Sequence, residues 1–219
     1  SYIALKQFEC EGSATERAVF MMSGGIDSPP AAYLGIKAGW EPIFVYFDGR
    51  PFAGEDTMER ALRTIRRVEE ACGRKGTTLV VPHGRDLEEI LKCRRNLSCV
   101  LCKRMMYRKA ERIAHRYSCS AIVTGEILGE QASQTLHNLV VDSVVVDMPI
   151  VRPLIGMNKR EVEAIARKIG TFEISTSKAQ ECMAQAIKAR TRARPEEALK
   201  EEAKMPIERL IEEALRPLG

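Results

Sequence analysis

The chain has 219 residues, of which 45% are hydrophobic, 29% charged and 5% aromatic, with a formal net charge of +4. This profile suits one large soluble α/β domain, and no apolar run approaches the ~20 residues that cross a bilayer, so a helical membrane protein is excluded. So mild a positive charge supports nucleic-acid binding only where it is clustered, as in "CKRMMYRKAERIAHRY" (Cys102 to Tyr117) and "KARTRAR" (Lys188 to Arg194); each reads equally well as a solvated face with local ion pairs. The amino end "SYIALKQFECEG" lacks a secretory pattern, so the cytoplasm is the expected compartment. There, seven cysteines point to metal, cluster or redox chemistry in place of a disulfide framework.

In chain order, "RAVFMM" reads as a buried strand and "PPAAYLGIKAG" as a helix with Pro at its start and Gly39 at its end. "EPIFVYFD" is a second buried strand, and "EDTMERALRTIRRVEEACG" an amphipathic helix closed by Gly73. "TTLVVPH" is a third strand, followed by a short helix around "RDLEEILK", a cysteine-bearing loop and the basic helix. "SAIVTGE" is a fourth strand leading into "ILGEQASQTLHNL", "MPIVRPLIG" a fifth strand and loop, and "NKREVEAIARKIG" a further helix. Continuous apolar strands alternating with helices predict an α/β fold: a doubly wound parallel sheet with helices on both faces. After about Ser175 the chain turns polar, and "PEEALKEEAK" and "PIERLIEEALR" predict a helical carboxyl-terminal appendage. The expected division is a lead-in over 1–17, a main domain over 18–183 and the appendage over 184–219.

The turn "SGGIDS", Ser23 to Ser28, falls between the first strand and the first helix. In a doubly wound sheet, ligands bind beyond the carboxyl ends of strands. Gly24 and Gly25 allow close backbone approach to an anion, Ser23 and Ser28 add hydroxyl donors, and the helix start adds amides and partial positive charge. Asp27 is badly placed beside a bare phosphate and better placed to meet Mg2+ carried by one. The spacing matches neither a Walker loop nor a dinucleotide-binding turn.

In that context "SGGIDS" resembles the pyrophosphate-loop ATPases, which cleave ATP to AMP and pyrophosphate (an adenine nucleotide alpha hydrolase-like fold). "CKRMMYRKAERIA", "TGEILGEQASQTLHNL", "RPLIGMNKREV" and "IGTFEIS" narrow the resemblance, over about Arg17 to Met183, to the catalytic domain of the tRNA 4-thiouridine synthetases, the ThiI family. The resemblance implies that ATP is held by the turn, Ile26 included, with Met21, Met22, Tyr46 and Phe47 around adenosine, although all four are apolar enough to be core. It also implies that Lys103, Gly125 and Gln134 contact the nucleotide and that Lys159 acts with Asp27 in catalysis. Asn158 stands where the family commonly has Asp, which puts in question any role for a carboxylate there, and Pro30 replaces a small aliphatic residue. The implied reaction adenylates uridine, position 8 by family habit, and replaces O4 with sulfur.

Cys99 and Cys102 form a C-x-x-C, and Cys182 lies in "SKAQECMAQ". Cys182 matches the sulfur-handling cysteine of bacterial relatives, which form a persulfide with a rhodanese domain. The three together match the archaeal type, where the resemblance implies a 4Fe–4S cluster open to hydrosulfide. Zinc completed by Cys93, Cys119 or His137, or a Cys99–Cys102 redox disulfide, are the alternatives. Cys10, Cys72, Cys93 and Cys119 otherwise read as small buried residues. The implied partners are tRNA and a sulfide or persulfide donor, with no membrane and a homodimer as an allowed assembly. Full-length relatives carry ferredoxin-like and THUMP modules ahead of the catalytic domain. The stretch before the first strand has no room for these, so the chain is expected to be either an excised catalytic fragment or a stand-alone one, with tRNA binding weak, salt-dependent and aided by a separate THUMP-type module or by the two basic segments. Competing expectations are a pyrophosphate-loop enzyme acting on a small molecule and an accessory protein without turnover.

Overall fold

The computed structural model describes residues 16–129, 134–180, 182–186 and 188–218. Cys10 with most of the lead-in, and residues 130–133 of the quoted "TGEILGEQASQTLHNL", lie outside them. Five strands form one parallel sheet: β1 (Arg17–Met22), β2 (Glu41–Asp48), β3 (Thr77–Pro82), β4 (Cys119–Val123) and β5 (Ile150–Val151), in the order β3-β2-β1-β4-β5. The fifth strand is shorter than its sequence suggested. Pro149 and Pro153 flank it, and proline cannot donate to a ladder.

Between the strands run α1 (Ser28–Lys37), α2 (Glu55–Cys72), α3 (Gly84–Leu91), α4 (Ser98–Arg116), α5 (Leu136–Ser143), α6 (Lys159–Lys168) and α7 (Phe172–Ser175), followed by α8 (Pro195–Glu202) and α9 (Ile207–Leu215). Successive strand residues point to opposite faces. Phe20, Phe44 and Val123 meet Ala32, Ile36, Ile65 and Val68 of α1 and α2, while Val19, Val45 and Val81 meet Leu87, Leu101, Met105 and Ile113 of α3 and α4. Both phases of the strand pattern are therefore apolar, as a sheet covered on both faces requires. Leu210, Ile211 and Leu215 of α9 and Ala198 of α8 join the second of these cores. The carboxyl-terminal helices, read from polarity as an appendage, thus belong to the helical layer that covers β2 and β3.

Their charged faces change the reading of α4. Arg104 and Lys109 are almost fully buried. Arg104 meets Glu202 at 2.7 Å, Arg108 reaches the same carboxylate at 2.6 Å, Lys109 donates to Asp86 and to the Pro82 carbonyl, and Arg112 meets Glu208 at 3.0 Å. Burial alone would raise the Glu202 pKa, but hydrogen bonds from Arg104 and Arg108 outweigh it and hold the carboxyl below its usual range. The basic helix expected to offer phosphate contacts is largely an internal spine, because the carboxylates that neutralise it arrive on α3, α8 and α9.

Candidate functional site

From β1 the chain proceeds to β2 and β3 on one side, then returns to β4 on the other. The loops leaving β1 and β4 diverge at that reversal and open a crevice at the carboxyl ends of the strands. It holds a cleft of about 640 Å³, within the range of small-molecule sites. Every sequence-predicted site residue except Gly24 and Cys99 lines it, from Met21 and Met22 through Ser23, Gly25, Ile26, Asp27 and Ser28 to Tyr46, Phe47, Cys102, Lys103, Gly125, Gln134, Lys159 and Cys182.

The turn is clasped from within. The Ser23 amide donates to Ser28 Oγ at 3.0 Å, the two hydroxyls lie 3.2 Å apart, and the Gly25 amide donates to Ser23 Oγ at 3.3 Å. Gly24 takes φ +72°, and a Cβ there would lie 2.9 Å from the Ala61 amide of α2, so its work is packing and left-handed geometry. The Ser175 hydroxyl of α7 donates to the Gly25 carbonyl at 3.2 Å, turning that acceptor away from an anion. Pro29 and Pro30 bring no amide, so the turn donors that can face the cleft are those of residues 25 to 28, where the sequence reading had also counted the helix's first turn. Gly125 passes directly against this turn: a Cβ on it would sit 2.7 Å from the Ser28 nitrogen.

On the β4 side a carboxylate that the sequence reading passed over becomes central. Glu126, 3% exposed, accepts from Lys103 Nζ at 2.6 Å, the Tyr107 hydroxyl at 2.9 Å and Thr124 Oγ1 at 3.0 Å, and pairs with Arg152. Burial would raise its pKa, but Lys103 and Arg152 outweigh burial and bring it down to about 2. Glu126 thus fixes the Lys103 ammonium at the cleft wall. Gln134 Oε1 accepts from the Ile127 amide at 3.2 Å, so this side chain also shapes the loop after β4. Asn158 caps α6 in a reciprocal pair with Glu161, which an amide side chain performs without the carboxylate of the usual Asp; Lys159 follows it.

Across the cleft stands His83, at the end of β3, its ring 5.7 Å from that of Phe47. His83 Nε2 lies 3.2 Å from Cys102 Sγ. Burial pushes the Cys102 thiol well above its ordinary pKa, and the nearby Cys99 and Cys182 sulfurs add to the shift. The three sequence-predicted cysteines therefore feel one another, the donor type that iron–sulfur ligation requires. Yet among the described residues no three His, Cys, Asp or Glu side chains are arranged to hold a metal ion. To ligate a cluster Cys102 would have to leave His83 and the three sulfurs to draw together. The residues that could complete a zinc site lie elsewhere, His137 being exposed on α5. Cys119 opens β4 at the far end of the sheet, and Cys93 Sγ is directed at the Glu89 and Glu201 carbonyls. No local sequence signal flags Glu126 or His83, whose partners lie on other elements.

Fold and cleft together define a class: a doubly wound α/β domain of the pyrophosphate-loop type, with a glycine-rich turn at its switch point. An NMN synthetase from Francisella tularensis shares that architecture, at a TM-score of 0.58 and 16% identity, over 94% of this chain and 87% of its own. Within the class, the family model "Thiamine biosynthesis protein (ThiI)" matches residues 13–207, and the chain belongs to that family. It is 41% identical over 202 residues to a probable tRNA sulfurtransferase of Methanosarcina mazei, covering 91% of this chain and 50% of that protein. A protein of the same name from Caldanaerobacter subterraneus is 40% identical over 200 residues, 90% of this chain and 52% of its own. A crystal structure of a 4-thiouridine synthetase–RNA complex with bound ATP superposes with a TM-score of 0.86 at 34% identity, over 92% of this chain and 53% of its own. The chain spans about half the length of these relatives. Among the described residues no helix is long and apolar enough to cross a membrane.

Proposed function

We propose that this chain is the nucleotide-activating unit of a cytoplasmic tRNA sulfurtransferase that makes 4-thiouridine, with residues 18–183 as the pyrophosphate-loop domain braced by residues 184–219. The Ser23–Ser28 turn carries the reading: an amide-rich anion cradle at the switch point, facing a nucleotide-sized cleft. Family membership and the relatives' activities support it.

The chemistry follows from the poor leaving ability of a carbonyl oxygen. Uridine O4 attacks the α-phosphorus of ATP, the bond to the β-phosphate oxygen breaks, pyrophosphate departs and the N3 proton is released. Hydrosulfide then attacks C4, the C4–O bond breaks, AMP leaves with the electron pair and the oxygen, and the sulfur's proton is returned to N3 or to solvent. The amides of residues 25 to 28 bind the triphosphate, Lys103 and Lys159 offset charge on it, and Met21, Met22, Tyr46 and Phe47 enclose the adenosine. Asp27 offers the hard oxygen donor that Mg2+ takes alongside substrate phosphates, and the ion would further neutralise the departing pyrophosphate. Cys182 and Cys102 face the cleft as thiols for sulfur handling. The grip on tRNA comes in part from a THUMP-type module, and pairing of two copies is compatible with the reading.

Pyrophosphate exchange into ATP, with an unmodified tRNA transcript and nucleoside mass spectrometry after sulfide addition, tests the proposal. Exchange that depends on tRNA, falls roughly a hundredfold in Asp27→Ala and is followed by 4-thiouridine is expected. Exchange indifferent to tRNA would move the activity to a small molecule, and no exchange at all would leave an accessory protein.

A further inference from the structure

With α4 largely committed to internal ion pairs, the second basic motif is one place where clustered positive charge reaches solvent. Its setting is ordered. Asn138 of α5, fully buried, donates from Nδ2 to the Arg190 carbonyl at 2.7 Å and accepts from the Ala193 amide at 2.9 Å, while the Thr135 hydroxyl donates to the Thr191 carbonyl at 2.6 Å. Residues 190 to 193 are thereby bolted along the first turn of α5. Arg190 spends part of its charge on Glu197 at 3.1 Å. Arg192 and Arg194 are exposed, and among the described residues neither guanidinium forms an ion pair, the Arg194 amide alone donating to Glu197 Oε2 at 3.4 Å.

The face of α5 beside these arginines is apolar where solvent would favour polar groups. Leu136 is 67% exposed and Val140 54%, one helical turn apart. With Arg190, Arg192 and Arg194 they line a groove of about 890 Å³. The chain links it to the cleft in two places. Gln134, which lines the cleft, lies two residues before Leu136, and Cys182, which also lines it, begins the segment that ends in the arginines.

We infer that this groove docks the RNA strand flanking the nucleotide under reaction, its phosphates on Arg192 and Arg194 and an unstacked base on Leu136 and Val140. The inference rests on the tRNA reading above and adds the path the strand takes out of the cleft. Charge complementarity favours a polyanion, and the apolar floor suits the exposed face of a base where a mobile counterion would gain nothing.

Fluorescence anisotropy with a labelled, unmodified tRNA transcript across a salt series tests it, using the whole chain, Arg192→Ala/Arg194→Ala, Leu136→Ser/Val140→Ser and a control pair, Arg63→Ala/Arg66→Ala, on the exposed side of α2. Losing two phosphate contacts flattens the slope of log affinity against log salt by about 1.4–1.8 and weakens binding roughly 25- to 60-fold at 0.1 M salt. The control pair, with the same loss of charge, should leave the slope as in wild type, and the serine pair should weaken binding with the slope unchanged. ATP affinity should be the same in all four proteins. Equal slopes in the arginine and control pairs would overturn the groove while leaving the sulfurtransferase reading intact. Loss of self-association in ultracentrifugation without loss of RNA binding would assign the groove to a second protein chain and also overturn it. A wild-type chain that binds ATP but shows no salt-sensitive RNA binding would overturn both.

Discussion

Replacing Gly125 by alanine adds one methyl group where backbone already stands. A Cβ at this position lies 2.7 Å from the Ser28 nitrogen and Cα and 2.8 Å from the Asp27 carbonyl carbon. Non-bonded carbons settle near 3.5–4.0 Å, so the overlap is about 1 Å. No flexible side chain can swing away to absorb it, and either the turn or the end of β4 must move. Overpacking of this kind costs about 1–3 kcal/mol. Carried by the turn, that is roughly a 5- to 150-fold loss of nucleotide affinity. Gly156→Ala is the matched comparison, since its Cβ meets nothing within 4 Å. Calorimetric titration of both variants with a non-hydrolysable ATP analogue, alongside thermal unfolding, separates a displaced turn from a destabilised fold. Wild-type affinity in Gly125→Ala would refute the reasoning, because the cradle would then tolerate a shift that its geometry forbids.

Three further outcomes follow. Glu126 has a folded pKa of about 2, below its unfolded value, so it contributes about 3 kcal/mol above pH 4.5 that is lost as pH falls toward 2; urea unfolding at pH 7 and pH 3 should show the gap between wild type and Glu126→Gln narrowing in acid. Asn158→Ala should lose about 1 kcal/mol, seen as a lower Tm, while Asn158→Asp keeps the cap and stays near wild type; an equal loss in both would contradict a cap served by either side chain. Native Cys102 should alkylate far more slowly than an unfolded control at pH 8, followed by peptide mass spectrometry, because burial holds its proton on; labelling at the unfolded rate would count against it.

What was legible in the sequence was local. The four long strands, their crossover helices and the Ser23–Ser28 turn each carry their own signal in apolar runs, prolines and glycines, and the order of strands then follows from parallel connectivity. What was not legible depended on distant partners. The charge of α4 looked solvated until Glu202 and Glu208 were brought to it, and polarity hid the apolar stripe of α9. Glu126 and His83 gain meaning only when β3, β4 and α4 converge on one cleft, a convergence that no spacing within "TGE" or "VVPHGRD" encodes. The two prolines after Ser28 were visible, but only the turn's geometry shows that they shift the anion donors onto the preceding loop.

The proposed function stands on the backbone of residues 25 to 28 gripping a polyphosphate. A crystal structure of the chain with α,β-methylene ATP measures this directly. Phosphate oxygens are expected within hydrogen-bond reach of those amides, with the adenine between Met21 and Phe47. A triphosphate bound elsewhere, with the Ser23–Ser28 clasp unchanged and its amides facing solvent, would contradict it.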